Sequence, residues 1–345
     1  MMAMAGVCHG QQPFRISLSV SPFTELLFKR GIVFTDGQVA ARNPEELQRL
    51  YVRYGANEVY ARIATTRSYR TGFGDHSVNK GLERARLAKA LNLPFNPELG
   101  LFNIYGDIRC QPSPDFSEYP ELKVPGDWTA LTLEQMLPAL RSYGAIAARE
   151  ILKTGVKVRI WDLGNEVEFG TAGVAVRPMP GGCDDTAGGP GWYKGPDRVD
   201  PAIGEMSVID LLKMPEPQRI AWLQEHLWPH EARILAAVAA GIRSVDPGAR
   251  FSTHVSGVSA VLPAQSVAFY KAWLAADSSR MSWVSPFIQA RVTGRRTVCR
   301  PFRKRCRRCG ASWTARCSSP NSVIHRASCA KGLSPVGITP WRNTL

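Results

Sequence analysis

Between residues 14 and 275 the chain passes five times from a short apolar, β-prone stretch to a longer amphipathic one. This alternation restricts the fold more than any single motif does. Residues 14–20 (FRISLSV) predict a first strand, and residues 43–54 open on Asn-Pro and bring Leu47, Leu50 and Tyr51 onto one helical face. Residues 58–64 (EVYARIA) predict a second strand, and residues 80–91 a helix with Leu82, Ala85, Leu87 and Leu91 on its apolar side. A third strand is expected at residues 99–105 (LGLFNIY), then a long amphipathic helix at residues 133–153. The fourth strand is expected from Lys157 onward. A helix at 230–245, a fifth strand at 250–254 (RFSTH) and a fifth helix at 262–275 follow. Strand and helix in succession imply parallel strands joined by crossover helices, an α/β fold rather than an antiparallel meander.

At roughly 45 residues per unit, the eight units that close a (β/α)8 barrel need more than the 345 residues present. The expected architecture is an incomplete TIM-type barrel of about five βα units, spanning residues 14–277, followed by an irregular basic tail at residues 278–345. The net charge of +14 is concentrated in that tail: residues 281–345 hold 13 Lys and Arg and no Asp or Glu, so residues 1–280 carry 30 basic against 29 acidic groups. The body therefore gives no reason to expect a nucleic-acid partner. Cys8, Cys110 and Cys183 are scattered and do not make a disulfide framework, whereas Cys299, Cys306, Cys309, Cys317 and Cys329 crowd the tail. No apolar run nears the ~18 residues that span a bilayer, so no membrane partner is expected and the chain reads as a monomer. The opening MMAMAGVCHGQQPF lacks the basic start and apolar core of a secretory signal.

Residues 157–170 (KVRIWDLGNEVEFG) concentrate the chemistry. Val158 and Ile160 alternate into a Gly-Asn-Glu corner, the pattern of a buried parallel strand that ends at a cleft. A carboxyl at Glu166 suits protonation of a leaving glycosidic oxygen, and an amide at Asn165 suits a sugar hydroxyl beside the reacting carbon. Trp161 reads as packing. Residues 170–204 form a Gly- and Pro-rich connection, and loops of that length in compact domains are usually functional or mobile. There Trp192 and Tyr193 offer flat faces for sugar rings, while Asp184 and Asp185 read as solvated. His226 and His230 stand four apart on a helix without a third ligand, so neither a metal nor a cofactor is expected.

LGNEVEFG, the preceding helix WTALTLEQMLPALRSYGAIAAREIL, and AAGIRSVDPGARFSTHVSG with VAFYKAWL beyond it resemble glycoside hydrolase family 53. These are the arabinogalactan endo-1,4-β-galactanases, within the clan of retaining TIM-barrel glycosidases. The resemblance runs over residues 14–276. It implies a polysaccharide substrate, galactan or arabinogalactan, cleaved at internal β-1,4-galactosidic bonds, and an extracellular or periplasmic location. It implies that Glu166 is the acid/base, that Asn165 binds the sugar, that Arg62 (in YARI) sits at the end of the second strand, and that His254 is the fifth-strand histidine. Tyr105 and Asp107, in the third-strand segment, are further substrate-binding candidates, or simply a turn at the strand end. There the chain departs from the family's His-Tyr-Ser-Asp run and reads Asn103-Ile104-Tyr105-Gly106-Asp107. Without the family, Arg62 reads as the partner of a core carboxylate and His254 as a core histidine, and both pairs of readings stand at this point.

A retaining mechanism needs a second carboxylate about 5–5.5 Å from the first. Residues 281–345 contain none, so no nucleophile is present in this frame. Read from the third base of each codon, the codons of residues 283–290 permit GLSFYPS and those of residues 315–325 permit PVFIAEFGYPS, which carries a Glu. The expectation is that translation leaves the native frame just before Trp283, and that the chain is inactive or nearly so. Two other readings remain: a carbohydrate-binding remnant without catalysis, and a tail module in which Cys306, Cys309, Cys317 and Cys329 hold zinc while RKRCRR contacts phosphates.

Overall fold

Strand and helix alternate in the computed structural model as the sequence implies. The structure describes residues 15–70, 74–181, 199–256 and 262–276, all within the compact unit Met1–Gln289. Trp192, Tyr193, Asp184, Asp185 and the whole of residues 278–345 lie outside the described residues.

The sheet is parallel. Its strands β3 (Val59–Ile63), β4 (Phe95–Leu99), β5 (Trp161–Leu163) and β8 (Phe251–Ser252) lie side by side in chain order. Between them run α3 (Val78–Ala90), α4 (Leu133–Lys153) and α8 (Trp228–Arg243), and α9 (Pro263–Ala276) follows β8. The expected first strand is present only as a parallel bridge from Ser17 to Glu58, with Ile16 O accepting from the Asn57 N–H at 3.0 Å. From there the chain forms α1 (Pro22–Lys29), the small hairpin β1 (Phe34–Thr35) and β2 (Ala40–Ala41), and α2 (Pro44–Arg53), capped by Asn43. Five consecutive βα positions are thus occupied. A second hairpin, β6 (Gly170–Thr171) with β7 (Val174–Ala175), follows β5, and α5 (Pro201–Glu205), α6 (Val208–Lys213) and α7 (Glu216–Trp222) lead into α8.

Each strand divides its side chains between two layers. In β3, Val59, Ala61 and Ile63 are buried in the main apolar core, whereas Tyr60 and Arg62 on the other face are half-buried. The inner face encloses a cavity of about 200 Å³ lined by Tyr60, Asn96, Asp162, Ser252 and His254 among others. Helices α4 and α8 cross backbone to backbone. A Cβ on Gly241 would run into the Arg141 carbonyl oxygen, and one on Gly144 into that of Val238. Glycines at these two positions are what let two long helices pack at this separation.

The third strand corrects the sequence expectation. It occupies Phe95–Leu99 (FNPEL) rather than residues 99–105, of which 100–105 form the loop after it. Pro97 lies within this pentad, and a proline inside a run argues against a central strand. The ladder accommodates the missing N–H by breaking there: Phe95 bridges Val158 and Glu98 pairs with Asp162, so one extra residue of the neighbouring strand lies opposite Pro97.

Candidate active site

One row of the sheet sets the site. In the pairing register Arg62 of β3 lies beside Glu98 of β4, Glu98 beside Asp162 of β5, and Asp162 beside Ser252 of β8. Residues so paired in a parallel sheet share a face, so four polar side chains from four strands meet near the strand C-termini. Two residues beyond Ser252, His254 reaches back over the row. Its Nδ1 is 2.9 Å from Asp162 Oδ2, its Nε2 is 2.8 Å from Asn165 Oδ1 and 3.9 Å from Glu98 Oε2. Arg62 donates from Nε to Glu98 Oε1 at 2.6 Å and from Nη2 to Asn165 Oδ1 at 2.5 Å. Arg62 and His254 are both packed against carboxylates, and both hold the Asn165 amide.

The Gly-Asn-Glu corner turns on two left-handed residues. Gly164 has φ 76°, and a Cβ there would collide with the Val167 side chain. Glu166 itself has φ 50° and ψ 54°. The turn sends Asn165 into the interior, where it has no exposed surface and its Nδ2 donates to Gly106 O at 2.6 Å. Glu166 is the half-exposed residue in an otherwise buried run from Trp161 to Gly170. Its Oε2 accepts from the Ile108 N–H at 3.1 Å, and Gln111 Nε2 braces the backbone oxygens of Asn165 and Glu166 at 2.6 and 3.1 Å. A half-exposed carboxyl can exchange a proton with a bound molecule.

Tyr105 lies in the loop after β4 with the Arg62 guanidinium 5.5 Å from its ring centre, and burial raises its phenol above the ordinary value. His76 (5.5 Å) and Phe23 (6.3 Å) complete an aromatic group beside it. Burial, reinforced by the Arg62 charge, holds His76 down at about 3, so it is neutral. Asp107, in the same loop, is gripped by Arg109 Nη2 at 2.8 Å. Trp161 is buried, and its Nε1 donates to Asp246 at 3.1 Å. Behind the corner, Glu168 is fully buried and accepts from the Ser256 N–H at 2.9 Å and from its hydroxyl. Glu231 of α8 is fully buried as well, and burial together with the charge of Glu168 pushes its carboxyl well up.

Sequence reasoning missed Glu98, Asp162 and Ser252. A signal was available for the first two, since a charged residue inside an apolar strand is rarely buried without a partner. Glu98, Asp162 and His254 place ligand atoms within 4.8 Å of one another. Arg62, hydrogen-bonded to Glu98, brings a positive charge beside that group. His226 sits apart from this site, its Nδ1 3.0 Å from Asp200 Oδ2.

A fold of parallel βα units with a polar cluster at the strand C-termini defines an α/β barrel protein, here incomplete. No family model and no curated protein matches the chain. Among solved structures, it is similar to the Ignisphaera aggregans GH53 catalytic domain, with TM-score 0.50 and 14% identity, covering 77% of this chain and 57% of that one. Fungal β-1,4-galactanases give TM-score 0.49 and 16% identity over 76% of this chain and 59% of theirs. The chain thus spans less than three fifths of either structure. The fold is an incomplete TIM barrel of the α/β class.

Proposed function

We propose that the chain is the N-terminal part of a retaining glycoside hydrolase that cleaves internal β-1,4-galactosidic bonds of galactan or arabinogalactan. The observation that carries this reading is the half-exposed Glu166 carboxyl at the end of a parallel strand, beside an amide that Arg62 and His254 hold rigidly. In this reading Glu166 gives its proton to the leaving oxygen and then takes one from water. Arg62 and His254 supply positive charge and orientation, and Tyr105 and Asp107 line the approach. In this reading the second carboxylate lies in the neighbouring frame beyond Trp283, where the codons permit a Glu. The similarity in fold to a GH53 catalytic domain supports the class of enzyme, and the sequence resemblance supports the galactoside.

The purified chain is expected to bind β-1,4-galacto-oligosaccharides while releasing little reducing sugar. A chain restored to the alternative frame is expected to hydrolyse galactan, and Glu166→Gln in it to abolish that activity. A gene whose codons cannot spell the second Glu, or a restored chain without glycosidase activity, would sink the proposal. A carbohydrate-binding remnant is the second reading, and oligosaccharide binding by a restored chain that cleaves nothing would favour it.

A further inference from the structure

We infer that Asp162 is a positioning residue of this site. It holds His254 with a hydrogen on both ring nitrogens, so that the imidazole and Arg62 together clamp the Asn165 amide and the peptide leading to Glu166. The link to catalysis rests on the function proposed above.

The argument is one of donors and acceptors. A guanidinium only donates, so the Asn165 atom 2.5 Å from Arg62 Nη2 is the oxygen. The other end of the same amide donates to the Gly106 carbonyl, which fixes the orientation twice over. His254 Nε2 faces that oxygen at 2.8 Å and therefore carries a hydrogen. Its Nδ1 faces Asp162 Oδ2 at 2.9 Å, while the other Asp162 oxygen accepts from Ser252 Oγ at 2.9 Å. A hydrogen lies on the Nδ1 line too, and the carboxylate is what holds it there.

The charges close. Arg62 and His254 face Glu98 and Asp162 in a cluster whose side chains are at most 12% exposed. Buried polar networks of this kind are rigid when every member is satisfied and costly when one is removed. Asp162 acts through His254 on Asn165, whose backbone continues into Glu166. An Asp at this point of the WDLGNE stretch thus has a purpose that packing alone does not require.

Nitrogen-15 NMR of the full chain labelled at its six histidines, with His254→Asn to assign the signal, tests this directly. At neutral pH the wild-type His254 ring is expected to show hydrogens on both nitrogens. Asp162→Asn is expected to leave one, on Nε2, and Asp162→Glu to restore the pair in part. Titration with β-1,4-galactobiose is expected to show binding about tenfold weaker for Asp162→Asn, a loss of about 1.4 kcal/mol. A wild-type ring with a single hydrogen, or a ring unchanged by Asp162→Asn, overturns the inference. If Asp162→Asn does not fold, the wild-type spectrum still decides the first point, and Ser252→Ala tests the second by loosening Asp162 alone. A ring with both hydrogens in a chain that binds no galactoside leaves the His254 geometry standing and counts against the proposed function instead.

Discussion

Arg62 Nε lies 2.6 Å from Glu98 Oε1, a guanidinium on one strand resting against a fully buried carboxylate on the next. Removing the cation would strand that charge in the interior. Arg62→Ala is therefore expected to destabilise the chain by about 3–5 kcal/mol, read from urea or guanidinium unfolding. Arg62→Lys should recover part of this, since an ammonium cannot serve Glu98 and Asn165 with one planar fork. An alanine variant as stable as the wild type would show that the pair is not what holds Glu98.

His76 gives the fold a dependence on acid. In the unfolded chain it takes up a proton near the ordinary histidine value, whereas burial and Arg62 hold the folded residue neutral down to about 3. The unfolded state then binds more protons, so stability is lost as pH falls from about 6.5 toward 3, on the order of 4 kcal/mol in all. His76→Phe should flatten this fall in a series of melting curves. A wild-type melting temperature constant across the window would contradict the assignment.

Glu231 acts in the opposite sense. Its folded carboxyl ionises well above the ordinary value because of burial and Glu168. Stability tied to its proton is present in acid and lost as pH rises above the usual carboxyl range. Glu231→Gln is expected to melt higher than the wild type at neutral pH and at the same temperature in mild acid. A glutamine variant less stable at neutral pH would mean that the carboxylate itself is needed there.

The crossing of α4 and α8 depends on a hydrogen atom's worth of space at Gly241. Gly241→Ala should cost about 2 kcal/mol, because the group a new methyl meets is the Arg141 backbone carbonyl, which cannot rotate away. Chemical denaturation checks it, and a neutral result would indicate that the two helices slide apart freely.

The alternation of strand and helix was legible because the period of burial changes from two to near four at each boundary. The long helix α4 lies at residues 133–153 as read from its apolar spacing. The third strand was not legible, since Pro97 argues against a strand in isolation and is tolerated only through the extra residue opposite it. That same extra residue sets which side chains of β4 and β5 stand together. The row from Arg62 through Glu98 and Asp162 to Ser252 could therefore not be read from the chain, although Arg62, Asn165, Glu166 and His254 could be named individually. Glu98 falls just before the expected strand, and nothing in the WDL run shows that the Asp162 carboxyl meets a histidine 92 residues further on.

Glu166 keeps a backbone conformation that suits glycine and costs other residues on the order of 1 kcal/mol. A laboratory selection for thermal endurance alone would thus be expected to drift toward Glu166→Gly, relaxing the corner and discarding the carboxylate on which the proposed function rests. Keeping a carboxylate at that point works against the stability of the fold, which is what the proposed function would demand of it.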